Sequence, residues 1–221
     1  MRLLETLRAE DGRIARLDRH LARLAASAER LGWGLDVAAV GRHLEAVAGE
    51  GVWRVRLTVG DGGDVQVEAA PLDAAPMRTA WIDPEPFAEA GSLRCVLKTT
   101  DREHYRTRWE RAQGWGADEA ILVNARGEIT EGTRTTVWAR LDGRWCTPPL
   151  SAGGLAGVER AHHLATRPDC LIAPLTPGAL RQADAVALTN ALRGWMPVRL
   201  VDPARPSGVQ TVPLPNPPSD E

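Results

Sequence analysis

Apolar and polar residues alternate through Val52-Trp-Arg-Val-Arg-Leu-Thr-Val59, the period of a half-buried strand. Gly60-Asp61-Gly62-Gly63 breaks the run and Asp64–Ala69 resumes it, which predicts a hairpin. Upstream, Leu3–Ala9 reads as a short strand, turned by Glu10-Asp11-Gly12 into Arg13-Ile14-Ala15. The period then becomes helical. Leu17, Leu21, Leu24, Ala28 and Leu31 form one apolar face, with Asp18 as the expected N-cap and Gly32 past the end. Arg16, Arg23 and Arg30 lie on a different stripe, which pattern alone reads as a solvated face. Val37–Ala48 gives a second amphipathic helix. Strand, helix, helix and hairpin make a small α+β unit, expected over residues 1–75.

Pro71, Pro76, Pro84 and Pro86 punctuate the next stretch around one candidate strand, Arg78–Ile82, and residues 76–86 are expected to link two domains. The second domain, expected over 87–200, opens with a strand at Leu93–Leu97 and a helix over Asp101–Trp115, with Tyr105, Trp109 and Ala112 on one face. Strands follow at Asp118–Asn124, Ile129–Glu131, Thr135–Leu141 and Arg144–Thr147, separated by the turns Ala125–Glu128 and Asp142-Gly143. The glycine-rich loop Ser151–Gly157 then feeds a helix over Val158–Thr166. Amides at such a helix start have no intrahelical partner and point outward, so this is a candidate anion site. Thr176-Pro177 starts a short helix and Asp184–Thr189 is a strand. From Arg199 onward, and over 201–221 in particular, the proline-rich chain reads as a loose tail.

Composition narrows the function. A net charge of −2 with both signs interspersed favours neither nucleic acid nor an anionic membrane surface. No apolar run approaches the roughly 20 residues that span a bilayer. Met1–Thr6 lacks the pattern of a signal peptide, and Cys95, Cys146 and Cys170 are too widely spaced for a disulfide framework or a zinc site. A reducing, cytoplasmic location is expected. His162 and His163 are adjacent, point apart on a helix and read as surface histidines, so no metal centre is expected. The eight tryptophans are scattered and form no stacking platform.

One feature of composition does point to chemistry. Lys98 is the only lysine, although lysine and arginine together number 27. A guanidinium stays protonated, whereas a desolvated primary amine can act as nucleophile or base, and only a primary amine forms an imine. Lone lysine, glycine loop, arginine-bearing helix and Glu131 on a strand together suit a phosphate-bearing aldehyde coenzyme.

Stretches spread over Leu3 to Val198 carry a family resemblance. They are Leu-Leu-Glu-Thr-Leu-Arg at 3–8, Leu-Asp-Arg-His-Leu-Ala-Arg-Leu at 17–24, and Lys-Thr-Thr-Asp-Arg-Glu-His-Tyr at 98–105. Next come Asp-Glu-Ala-Ile-Leu-Val-Asn at 118–124, Gly-Glu-Ile-Thr-Glu-Gly-Thr at 127–133 and Thr-Pro-Pro-Leu at 147–150. Gly-Leu-Ala-Gly-Val-Glu-Arg at 154–160 and Thr-Asn-Ala-Leu-Arg-Gly-Trp-Met-Pro-Val at 189–198 complete the set. In this order and spacing they resemble the class IV aminotransferases, pyridoxal-phosphate enzymes of fold type IV, and within them the 4-amino-4-deoxychorismate lyases. The pattern departs at Ala156, where proline is usual, at Thr136, where asparagine is common, and in starting without the family's first strand.

The resemblance implies a two-domain α+β fold with a small sandwich domain and a larger pseudo-barrel. It implies pyridoxal 5'-phosphate in Schiff-base linkage to Lys98, with Glu131 on the pyridine nitrogen. Arg23 and the backbone N–H groups of Val158 and Glu159 would bind the phosphate. Arg54 and Asn190 would meet the substrate, and Thr6 would assist proton transfer. The implied reaction turns a small-molecule amine, 4-amino-4-deoxychorismate, into 4-aminobenzoate and pyruvate, a step of folate biosynthesis. A homodimer, and aminodeoxychorismate synthase as functional partner, are implied too. A transaminase acting on D- or branched-chain amino acids, and a non-catalytic coenzyme-binding paralogue, stay open as alternatives.

Overall fold

The computed structural model describes residues 1–45, 49–73 and 75–202. The opening run forms β1 (Leu3–Glu10), which turns into β2 (Arg13–Ile14). Helices α1 (Leu17–Leu31) and α2 (Val37–Glu45) follow, then the hairpin β3 (Val52–Val59) and β4 (Val65–Pro71). Residues 46–48, expected to finish α2, lie outside the described residues. The four strands form one antiparallel sheet in the order β2-β1-β3-β4. Leu3, Leu7 and Ala9 of β1, with Val55, Leu57 and Val59 of β3, present one face to Leu24, Ala28, Val40 and Leu44 of the helices. Each fully buried leucine there contributes about 1.5–3 kcal/mol.

Asp18 does not cap α1. Arg16 occupies the N-cap in a left-handed conformation (φ 54°), and Asp18 lies in the first helical turn, where its charge complements the helix dipole. Gly32, at φ 70°, ends the helix as expected.

The first compact unit, Met1–Ala74, also includes Leu97–Arg102. Leu4 N–H donates to the Lys98 carbonyl (2.8 Å), Thr100 N–H donates to the Arg2 carbonyl (2.9 Å), and Leu3 bridges Thr99 in antiparallel fashion. The segment carrying the lone lysine is thereby held on β1 by main-chain hydrogen bonds.

The second unit comprises Ala75–Val96 and the described chain from Glu103. Its strands are β5 (Thr79–Ile82), β6 (Glu119–Val123), β7 (Ile129–Gly132), β8 (Thr136–Leu141), β9 (Arg144–Thr147), β10 (Cys170–Ile172), β11 (Ala185–Asn190) and β12 (Gly194–Val201). They form a curled, mixed sheet in the order β10-β9-β8-β11-β12-β5-β6-β7. Helices α3 (Leu93–Val96), α4 (Glu103–Gly114), α5 (Val158–Thr166) and α6 (Pro177–Gln182) accompany it. The core joins Ile82, Ile121, Val123, Ile129, Val137 and Leu188 from successive strands. Three buried cysteines, all unpaired, lie in this unit.

Three expectations change here. Leu93–Leu97 is not a strand: Ser92 accepts from both Cys95 and Val96 N–H groups, and the segment closes a helical turn. Over so few residues, alternating burial at Cys95 and Leu97 does not separate the two periods. Arg199–Val201 is not tail but the end of β12, paired in parallel with Thr79–Trp81. The rest of the expected tail, 203–221, lies outside the described residues. β5, within the stretch expected to link two domains, runs between β12 and β6. Among the described residues no helix is long and apolar enough to cross a membrane.

Candidate active site

Within the second unit the chemistry gathers on β7. Glu131 is 8% exposed, and both its carboxylate oxygens accept a hydrogen bond. The Tyr105 hydroxyl donates to Oε1 at 2.6 Å, and the Leu155 backbone N–H donates to Oε2 at 3.0 Å. Tyr105 reaches this position from the first turns of α4, its ring packed against His104 (4.4 Å between centroids) and Phe87 (5.5 Å). Burial first, and the Glu131 charge second, push the phenol far above its ordinary acidity range, so it stays a donor.

The glycine loop explains how Leu155 gets there. A Cβ on Gly153, at φ 106°, would lie 2.5 Å from Gly91 N, a distance no side chain tolerates. A Cβ on Gly154 would come within 3.1 Å of the Thr130 carbonyl and 3.4 Å of Glu131 Cβ. These absent side chains let the loop lie directly on β7. Gly157 then enters α5 in an extended conformation with no side chain capping the helix, and a Cβ on it would meet Thr136 Oγ1 at 2.9 Å. The first helical residues are Val158 and Glu159, both buried. Their N–H groups lie in the first turn, where a helix favours anions.

Asn190 ends β11. Its Oδ1 accepts from the Leu192 and Arg193 N–H groups (3.1 and 2.9 Å), which closes the turn into β12. Only its NH2 could therefore donate to a bound carboxylate. Register pairs Thr189 with Thr136, so this turn sits at the same end of the sheet as the start of α5.

A second buried carboxylate, Glu119 at the start of β6, shapes the turn after Glu131. It accepts from Ala120 N–H (3.0 Å), Thr133 N–H (3.1 Å), Arg134 N–H (3.1 Å), Thr135 hydroxyl (3.1 Å) and Thr133 hydroxyl. Burial outweighs these bonds and raises its pKa.

In the first unit, Arg23 is not on a solvated face. Its Nε and Nη2 donate to Glu5 at 2.8 and 2.5 Å, and His20 Nδ1 lies 2.7 Å from the same carboxylate. Burial would raise Glu5, but Arg23 and His20 more than offset it and bring the pKa down to about 2. Thr6 and Arg54 lie on the other face of the sheet. Cross-strand pairs Thr6–Arg56 and Arg8–Arg54 share that face, whereas Glu5 shares its face with Leu3 and Leu7 beneath α1. Arg54 is exposed and Lys98 half-buried. The structure thus joins Glu131 to the glycine loop in one unit. In the other it fastens Arg23 to Glu5, apart from Thr6 and Arg54.

Sequence reasoning missed Glu5, His20 and Glu119 and gave Tyr105 no role. The signal for Glu5 was present: a carboxylate at the buried parity of β1 (Leu3, Glu5, Leu7, Ala9), with His20 and Arg23 one helical turn apart on α1. His163 also departs from expectation. Its side chain is 12% exposed, 3.3 Å from Glu159 and 4.9 Å between ring centroids from Trp195, so it belongs to an aromatic cluster and not the surface.

Residues 2–201 match the profile of the family described as amino-transferase class IV. A Schizosaccharomyces pombe protein provisionally named an aminodeoxychorismate lyase is 34% identical over 161 residues, 70% of this chain and 69% of that protein. A Mesorhizobium loti structure provisionally named an amino-acid aminotransferase is 34% identical with a TM-score of 0.79, covering 90% of this chain and 99% of that one. The 4-amino-4-deoxychorismate lyase of Pseudomonas aeruginosa is 27% identical with a TM-score of 0.74, covering 91% and 83%. The chain is therefore an enzyme of the class IV amino-transferase family, with the α+β architecture of fold type IV.

Proposed function

We propose that the enzyme is a pyridoxal-phosphate-dependent 4-amino-4-deoxychorismate lyase that releases pyruvate and forms 4-aminobenzoate. The observation that carries the coenzyme reading is Glu131, a buried carboxylate held by Tyr105 and by Leu155 N–H, overlaid by a loop whose glycines leave no room for side chains. Those residues fit a flat, cationic heterocycle with a phosphate: Glu131 would pair with the ring nitrogen, and the Val158 and Glu159 N–H groups would meet the phosphate. When bound, pyridoxal phosphate supplies an electron sink. Lys98 supplies the primary amine that holds the coenzyme and, once displaced, takes the proton from the carbon bearing the substrate amine. Arg23, oriented by Glu5, adds a second phosphate contact. Arg54 and the Asn190 NH2 orient the substrate carboxylates, and Thr6 assists proton transfer. A homodimer in the cytoplasm, supplied by an aminodeoxychorismate synthase, completes the reading.

The lyase assignment draws on the Asn190 turn, the basic Arg54 and the similarity to proteins named as lyases. The similarity to the M. loti protein supports a transaminase as second reading. Assay of aminodeoxychorismate with and without a keto acid separates them. Formation of 4-aminobenzoate without any keto acid is expected; product only with 2-oxoglutarate or pyruvate would overturn the lyase. Borohydride reduction followed by mass mapping should place the pyridoxyl label on Lys98. Labelling without turnover of any amine would identify a non-catalytic paralogue.

A further inference from the structure

We propose that Tyr105 is the positioning residue for Glu131: its hydroxyl fixes the carboxylate in the orientation that receives the coenzyme's ring nitrogen. The inference rests on the coenzyme reading above and assigns a role to a residue that reading does not use.

Tyr105 is the only tyrosine in the chain. It is 4% exposed, and its hydroxyl lies 2.6 Å from Glu131 Oε1, a short distance for an O–H donor on a carboxylate. The Leu155 N–H holds the other oxygen at 3.0 Å. One donor comes from a helix and one from a loop, so the plane of the carboxylate is set from two directions. A carboxylate with a single anchor can swing about its last bond. With two, each oxygen keeps a lone pair in a defined direction. Both bonds are donated to Glu131. The ring itself cannot shift readily, since Phe87 and His104 pack against it. Cys95 also lies against the hydroxyl. A tyrosine needed only to fill space would be served as well by phenylalanine. The hydroxyl is the part with a directed partner.

The test compares Tyr105→Phe with the parent protein, each stripped of coenzyme. Affinities are measured for pyridoxal phosphate and for its 1-deaza analogue, which lacks the ring nitrogen. The parent should prefer pyridoxal phosphate. Tyr105→Phe should weaken that ligand about tenfold, the scale of one hydrogen bond to a charged group, and leave the deaza analogue within about twofold. In a Glu131→Gln background the same substitution should change pyridoxal phosphate affinity by less than about twofold. Equal weakening of both ligands, no weakening of either, or a full effect without Glu131, would overturn the proposal. A parent protein that binds pyridoxal phosphate no better than its deaza analogue, or not at all, would instead overturn the coenzyme reading.

Because the chain has one tyrosine, growth on 3-fluorotyrosine places a single fluorine reporter at Tyr105 and needs no substitution that risks the fold. Its resonance should move when Glu131 becomes glutamine. A resonance indifferent to Glu131→Gln would overturn the contact even if Tyr105→Phe failed to fold.

Discussion

Glu5 and Glu119 are both sealed from solvent, one in each compact unit, and their acidities move in opposite directions. Burial raises each of them. Glu5 has a guanidinium clamped on both oxygens and a histidine beside it, and it falls to about 2. Glu119 has neutral donors, two threonine hydroxyls and three backbone N–H groups, and it stays raised. Glu131 has neutral donors too, the Tyr105 hydroxyl on one oxygen and the Leu155 N–H on the other. A buried carboxylate is thus a fastener when a cation closes on it, and a turn-former when five neutral donors surround it. Glu131, held from a helix and from the glycine loop, is the candidate for chemistry.

The largest effect is expected where chemistry depends on an amine and not on charge. Lys98→Arg keeps the positive charge, and turnover and the borohydride label should both vanish while urea unfolding stays within about 1 kcal/mol of the parent. Normal turnover in that variant would sink the functional reading. Glu5→Gln should show the reverse pattern, a loss of about 3–5 kcal/mol in urea unfolding, because it removes the negative charge facing the largely buried Arg23 guanidinium. A loss below about 1 kcal/mol would mean the clamp is not structural.

The pH dependence distinguishes the two carboxylates directly. Glu5 has a folded pKa near 2 against an ordinary 4.5, so its contribution is complete above 4.5 and is lost as pH falls through 2. The loss should be about 3 kcal/mol, and Glu5→Gln should abolish it. Glu119 runs the other way. Its raised pKa means the folded chain holds its proton more tightly, so its contribution declines as pH rises above 4.5. Glu119→Gln should remove that decline and cost about 1–2 kcal/mol near pH 4, by leaving turn donors poorly matched. Stability curves for both variants that keep the parent's slopes would erase the distinction between the two sites.

Much of this was legible locally. The alternation at Val55, Leu57 and Val59 and the α1 face at Leu24 and Ala28 were set by side-chain periods and turned out buried as read. The glycine loop was readable because Gly153 and Gly157 allow approaches that any Cβ would block. The parallel pairing of Arg199–Val201 with Thr79–Trp81 was not readable, because strand partners far apart in the chain leave no local trace. The Arg23–Glu5 clamp was half readable: Glu5 stands at a buried position of β1, but a helical stripe of arginines looks the same whether one member turns inward or none does. Tyr105 could be noticed by scarcity, but its partner lies 26 residues away, on a strand and not on its own helix.

The placement of residues 97–102 has a consequence for how this protein can be dissected. They belong with Met1–Ala74, yet both flanks, Ala75–Val96 and the chain from Glu103, belong to the other unit. No single cut separates the two units as continuous fragments. A fragment ending at residue 74 would leave β1 without the segment that carries Lys98, and the complementary fragment would carry that lysine without the strand that holds its backbone. Split versions should regain the lysine's setting only when both pieces are mixed, which makes fragment complementation a direct report on how Lys98 is held.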